Sequence, residues 1–241
     1  KAVARAHDMI AQGADILDIG GESTRPGADV VAQDQELARV MPVIEALNGI
    51  SANISIDTRR PDVARAAAGA GARIWNDVTA LSYDDRSPSV AAELGCAVVL
   101  MHMRGDPKTM QNAPHYDSVV DEVRDYLSAR VDVAVDAGVL RENLILDPGI
   151  GFGKRQQDNL DLIAYLDDFH ALGLPILLGT SRKSFIEKID DSTANNRLGG
   201  SLASALWGTA MGAEILRVHD VQETAQAVRV WAAIGMRDNG R

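Results

Sequence analysis

Apolar positions along this chain fall into short runs separated by longer stretches of helical spacing. In residues 1–12, Ala4, Ala6, Met9 and Ile10 recur at helical intervals among Arg5, His7 and Asp8, and Gly13 stands where such a helix would end. The chain therefore opens inside a helix. Seven short runs follow, at 14–20, 53–57, 73–76, 97–101, 143–147, 175–179 and 214–219, and polar or glycine-bearing turns lead from them into helical stretches such as 34–48, 117–137, 160–172, 196–211 and 221–234. Pro61 in the first turn of a helix and Gly69 and Gly71 at its end punctuate one of them. Strands that alternate with helices predict a parallel sheet with right-handed crossovers, either doubly wound or closed as a (β/α)8 TIM barrel. The opening helix has no strand before it, and one added strand makes eight barrel units. The expectation is one domain over residues 1–241, an α/β barrel whose first strand and first loop are missing from this sequence. About 30 upstream residues, the length of one barrel unit, would complete it.

Charge narrows the partners. With 241 residues and a net charge of -10, the chain lacks the basic field that nucleic acid or an acidic membrane surface requires. No run approaches the roughly 20 apolar residues of a membrane span, and the first residues have no signal-peptide pattern. A single cysteine, Cys96, excludes an internal disulfide framework; its apolar neighbours predict a buried thiol, in keeping with a reducing cytoplasm.

Barrel enzymes place their chemistry at the carboxyl ends of strands, and these ends are polar here: Glu22, Thr24 and Arg25, then Asp57, Asn76 with Asp77, Met101 with His102, Asp147, residues 181–184, and Arg217 with His219. Asp57, Asn76 and Asp147 would point inward, where donors and acceptors are costly unless paired. Together they suit the edge of a guanidine-like heterocycle; singly, each could instead cap the next helix. Arg217 and His219 alternate on one face of a predicted strand and suit a phosphate, although a carboxylate partner for Arg217 would also explain it. Lys183 at a helix start opposes the dipole preference, which a bound anion or carbonyl would explain, as would simple solvation. Between residues 146 and 154, Asp147 ends a strand, Gly149, Gly151 and Gly153 permit close backbone approach, and Phe152 offers a stacking face. Those glycines miss the spacing of either nucleotide-loop motif. The histidines show no metal-ligand spacing.

Taken in order, Asp18-Ile19-Gly20-Gly21-Glu22-Ser23-Thr24-Arg25-Pro26-Gly27, Ser55-Ile56-Asp57-Thr58, Asn76-Asp77, Leu146 to Lys154, Ser181-Arg182-Lys183-Ser184 and Leu216-Arg217-Val218-His219-Asp220 resemble the dihydropteroate synthase family of folate biosynthesis through nearly the whole chain. The resemblance implies a cytoplasmic transferase. It would condense 6-hydroxymethyl-7,8-dihydropterin pyrophosphate with 4-aminobenzoate to give 7,8-dihydropteroate and pyrophosphate, by a dissociative displacement.

By the same resemblance, Asp57, Asn76, Asp147 and Lys183 hold the pterin and Met101 walls it. Arg217 covers the ring and, with His219, binds the pyrophosphate. Thr24, Arg25 and Pro26 belong to a loop that closes over the site, while Gly151, Phe152 and Ser184 line the aminobenzoate pocket, where sulfonamides would compete. The family also implies Mg2+, through an asparagine in the absent first loop, and a homodimer. Two other readings remain: a pterin-binding methyltransferase barrel, which needs no pyrophosphate site, and an inactive pterin-binding module.

Overall fold

The apolar runs become strands because each has both faces covered, one by helices and one by the opposite wall of the same sheet. In a computed structural model, residues 1–23, 27–105, 109–110 and 113–235 are described. They form α1 (Ala2–Ala11), β1 (Ile16–Gly20), α2 (Gln33–Ala46), β2 (Asn53–Asp57), α3 (Pro61–Gly69), β3 (Ile74–Asp77), α4 (Ser87–Leu94), β4 (Ala97–Met101) and α5 (Val119–Asp136). The second half adds β5 (Leu144–Asp147), α6 (Gln156–Ala164), β6 (Leu177–Leu178), α7 (Ser184–Asp190), α8 (Leu198–Ala210), β7 (Ile215–Leu216) and α9 (Val221–Gly235).

Strands β1 to β5 pair in parallel in sequence order, and a bridge from Leu146 to Ile176 carries the row on to the β6–β7 pair. Arg217, just past β7, bonds Asp18 on β1 across 199 residues of sequence, so the row curls round on itself as a TIM-barrel wall. Among the described residues β1 and β7 do not pair with each other. Alternation sorts the side chains. Ile56, Trp75, Val98, Leu100 and Leu146 join the layer beneath the helices, whereas Val99, Ile145 and Leu177 form a separate cluster with Ile74 and Ile215.

Several boundaries differ from the sequence reading. The expected helix over 160–172 stops at Ala164: Tyr165 takes φ -111° and ψ 36°, and Leu166–Leu172 continues as a 3-10 turn. The last strand is two residues long, so Arg217 and His219 lie beyond it; the main chain still follows the ladder at Arg217, whose N–H donates to Leu178 O at 3.0 Å. Cys96 is half-buried rather than buried, and burial raises its thiol pKa.

Candidate functional site

Parallel register brings the polar strand ends level. Gly20 lies beside Asp57, Asp57 beside Asn76, and Met101 beside Asp147. A cavity of about 990 Å³ lies along β1 and β7 and reaches α1 and α9, with Asp18, Ser55, Asn76, Lys183, Arg217 and His219 among its lining residues. Asp57, Met101, Asp147, Gly151, Phe152 and Ser184 do not line this cavity. Asp57 and Gly151 are in direct contact with its residues, through Arg217 and Lys183 respectively. Thr24, Arg25 and Pro26 lie outside the described residues.

Arg217 is the hinge of the electrostatics. Its Nε donates to Asp18 Oδ2 at 2.6 Å and its Nη2 to Asp57 Oδ2 at 2.8 Å, with the side chain 45% exposed. Asp18 also accepts from Ser55 Oγ at 2.7 Å and Asn76 Nδ2 at 3.1 Å. One carboxylate therefore gathers three elements. Asp18 has no expected role in the sequence beyond its place in the family-like motif; its signal is its position two residues before Gly20, on the same strand face as the position beside Asp57.

Burial pushes the Asp57 carboxyl up to about 7, helped by neighbouring Asp18 and opposed by Arg217. Burial also raises Asp147, against a bond from Gly149 N–H to its Oδ1 at 2.7 Å and the nearby Lys183 charge. Neither residue caps a helix. Asp77, beside Asn76, is fully buried and closes the turn after β3, accepting from Thr79 N, Thr79 Oγ1 and Leu81 N at 2.6–2.9 Å.

Lys183 is the N-cap residue of α7 and makes no side-chain capping bond. It donates to Ile150 O and sits 4.3 Å from the centre of the Phe152 ring. Burial lowers its pKa to about 8, with Asp147 opposing and Arg217 adding to the fall. Ser184, the first residue of α7, is exposed. His219 Nδ1 lies 3.1 Å from Ser181 Oγ, which also accepts from His219 N–H at 3.2 Å. Arg182 pairs bidentately with Asp220 and takes φ +59°, so the loops after β6 and β7 are tied side by side. The predicted anion groups Lys183, Arg217 and His219 thus share one cavity wall.

The first loop after β1 is anchored from below. Glu22 accepts from Arg59 and Arg60 and from Val31 N–H at 2.9 Å. Arg60 also pairs with fully buried Glu36, which accepts from Thr58 Oγ1 at 2.6 Å. Glu22, placed at a strand end by the sequence, is therefore a structural anchor. The glycine loop after β5 lies against the segment after β4, and a Cβ at Gly149 would fall 1.9 Å from His102 O. No group of three or more His, Cys, Asp or Glu among the described residues is arranged to hold a metal, and no helix among them is long and apolar enough to cross a membrane.

Residues 1–219 match the family model for pterin binding enzymes. The dihydropteroate synthase of Escherichia coli K12 is 48% identical over 242 residues, covering 100% of this chain and 86% of its own. A Yersinia pestis dihydropteroate synthase solved with a sulfonamide drug complex superimposes with a TM-score of 0.95 at 40% identity, covering 97% of this chain and 85% of that one. The Xanthomonas albilineans enzyme in complex with 7,8-dihydropteroate gives 0.88 at 42% identity, covering 97% and 86%.

Proposed function

The chain belongs to the family of pterin binding enzymes, and from that premise we propose that this folate-synthesis transferase condenses 6-hydroxymethyl-7,8-dihydropterin pyrophosphate with 4-aminobenzoate. The observation that carries the reading is Arg217 held between Asp18 and Asp57. Asp57 is the carboxylate a pterin edge needs, and Arg217 is the cation a pyrophosphate needs. Substrate entry exchanges partners: ring N–H groups replace Arg217 on Asp57, and Arg217 turns to the pyrophosphate. Asn76 and Asp147 complete the heterocycle edge, Lys183 serves its carbonyl side, and Met101 supplies an apolar wall.

In the dissociative displacement, the bond between the pterin methylene carbon and the pyrophosphate oxygen breaks first, and its electron pair leaves with the pyrophosphate. Asp57 and Asp147 stabilise the pterinylmethyl cation, while Arg217, His219 and Lys183 stabilise the departing anion. The aminobenzoate nitrogen then bonds to the methylene carbon and loses a proton. No covalent intermediate with the protein is needed. Gly151, Phe152 and Ser184 line the aminobenzoate side, where a sulfonamide would compete, and Thr24, Arg25 and Pro26 close over it. Magnesium would neutralise phosphate oxygens, and the described residues offer no cluster of His, Cys, Asp or Glu to hold it.

The proposal includes a cytoplasmic homodimer. Its support is that α8 and α9, which pack together, expose Trp207, Val230, Trp231 and Ile234. The direct test of function is an assay of the purified protein with both substrates and magnesium. One pyrophosphate released for each pteroate formed is expected; methyl transfer or binding without turnover would support the rival readings.

A further inference from the structure

Lys154 ends the glycine loop after β5, and nothing in the reaction proposed above uses it. Its side chain is buried, with 2% of the residue exposed, yet its ammonium has four acceptors. Nζ lies 2.9 Å from Gly149 O, 3.1 Å from Phe152 O, 3.3 Å from His102 O and 2.9 Å from His102 Nδ1. An ammonium donor at Nδ1 requires a neutral ring with its proton on Nε2. Burial, with Lys154 and Arg104 close by, holds the imidazole in that state by pulling its pKa down to about 2. Burial, with Lys183 and Arg104 adding to it and Asp147 and Asp158 opposing it, lowers the Lys154 pKa well below that of a free lysine. The geometry that favours the charged form is the cage itself, three carbonyl oxygens and Nδ1 all within 3.3 Å of Nζ.

The cage joins two segments that meet backbone to backbone. A Cβ at Gly149 would fall 1.9 Å from His102 O and one at Gly153 2.3 Å from Arg104 O, so the carbonyls converge with no side chain between them. Without a cation at their focus, three aligned carbonyl dipoles would repel one another. The same loop carries Phe152, whose ring faces the Lys183 ammonium, and Ile150, whose carbonyl accepts from it.

We propose that Lys154 is a positioning residue: its ammonium gathers the carbonyls of His102, Gly149 and Phe152 into one cage, and so fixes the Phe152 ring and the Ile150 carbonyl against which Lys183 is aligned. The inference rests on the assignment of Phe152 to the aminobenzoate pocket. It adds a specific property: the site that Lys154 fills is a small-cation site, which a free alkylammonium ion can occupy when the side chain is cut back.

Two readouts test it. In Lys154→Ala, KM for 4-aminobenzoate rises roughly tenfold or more while KM for the pterin pyrophosphate changes less than about threefold. Ethylammonium restores the aminobenzoate KM in a saturable way, and tetramethylammonium at equal ionic strength does not. In the absence of substrates, amide hydrogen exchange over residues 149–153 quickens about tenfold in the variant and slows again with ethylammonium. Lys154→Met keeps the stem and removes the charge, leaves no room for the ion, and shows the same losses without rescue. His102→Leu, which keeps the lysine and removes one acceptor, gives a partial loss of the same kind should both lysine variants fail to fold.

Equal rises in both KM values without rescue, or unchanged exchange over 149–153, would overturn the cage. If the unmodified protein makes no pteroate, the proposed reaction fails, and the exchange readout still decides the cage.

Discussion

Asp57 and Lys183 feel burial in opposite senses, and both then titrate near neutrality. A carboxyl raised from 3.8 to about 7 binds its proton more tightly in the folded state. Its contribution to stability is therefore full below pH 4 and is lost as pH climbs through 7. Pterin recognition runs the other way, since ring N–H groups need the ionised carboxylate. Lys183, lowered to about 8, must keep its proton to serve the carbonyl side and the pyrophosphate. The expected kcat/KM profile for pterin pyrophosphate is a narrow bell, rising through about pH 7 and falling through about pH 8. Removing Arg217 takes away a charge that lowers Asp57, so in Arg217→Ala the acid limb moves to higher pH; a limb that stays in place would contradict the pairing. Most of these residues were legible in the sequence because polar groups at the ends of apolar runs stand out. Asp18 was not, because its role depends on Arg217, 199 residues away.

At the scale of elements, the sequence revealed strands and helices through periodicity but not their lengths. β6 and β7 have only two residues each, because the ladder there is short even though the apolar runs continue. Tyr165 interrupts the helical spacing over 160–172, which looks continuous in the sequence. Glu22 and Asp77 sit at strand ends just as Asp57 does, and what separates them is satisfaction: Asp77 is filled by Thr79 and Leu81 in its own turn, and Glu22 by Arg59, Arg60 and the Val31 N–H. The Glu22–Arg60–Glu36 chain ties the segment just after β1 to α2 and to the start of α3. Glu36→Ala would leave Arg60 buried beside one partner fewer. A loss of about 3–5 kcal/mol in urea unfolding is expected, the usual cost of breaking such a pair. A loss below about 1 kcal/mol, the range of exposed pairs, would contradict it.

For the whole molecule, seven strands in sequence order put every polar end on one rim, and that is why motifs scattered over 200 residues describe one site. Alternation of elements left a doubly wound sheet and a barrel both open, and the opening helix with no strand before it pointed to the barrel; what the sequence did not reveal is the contact that spans the curl, Arg217 to Asp18. The proposed dimer belongs to this scale. Trp207→Glu with Trp231→Glu is expected to sediment as a monomer while the unmodified protein sediments as a dimer; a monomeric unmodified protein would end that part of the proposal.

The central claim is that Arg217 exchanges Asp57 for pyrophosphate when substrate enters. Titration calorimetry of Arg217→Ala with 6-hydroxymethyl-7,8-dihydropterin and with its pyrophosphate ester tests it directly. The pyrophosphate ester should lose roughly 100-fold in affinity, on the scale of a charge-assisted pair, while the unphosphorylated pterin loses less than about threefold. Equal losses for the two ligands would contradict the claim.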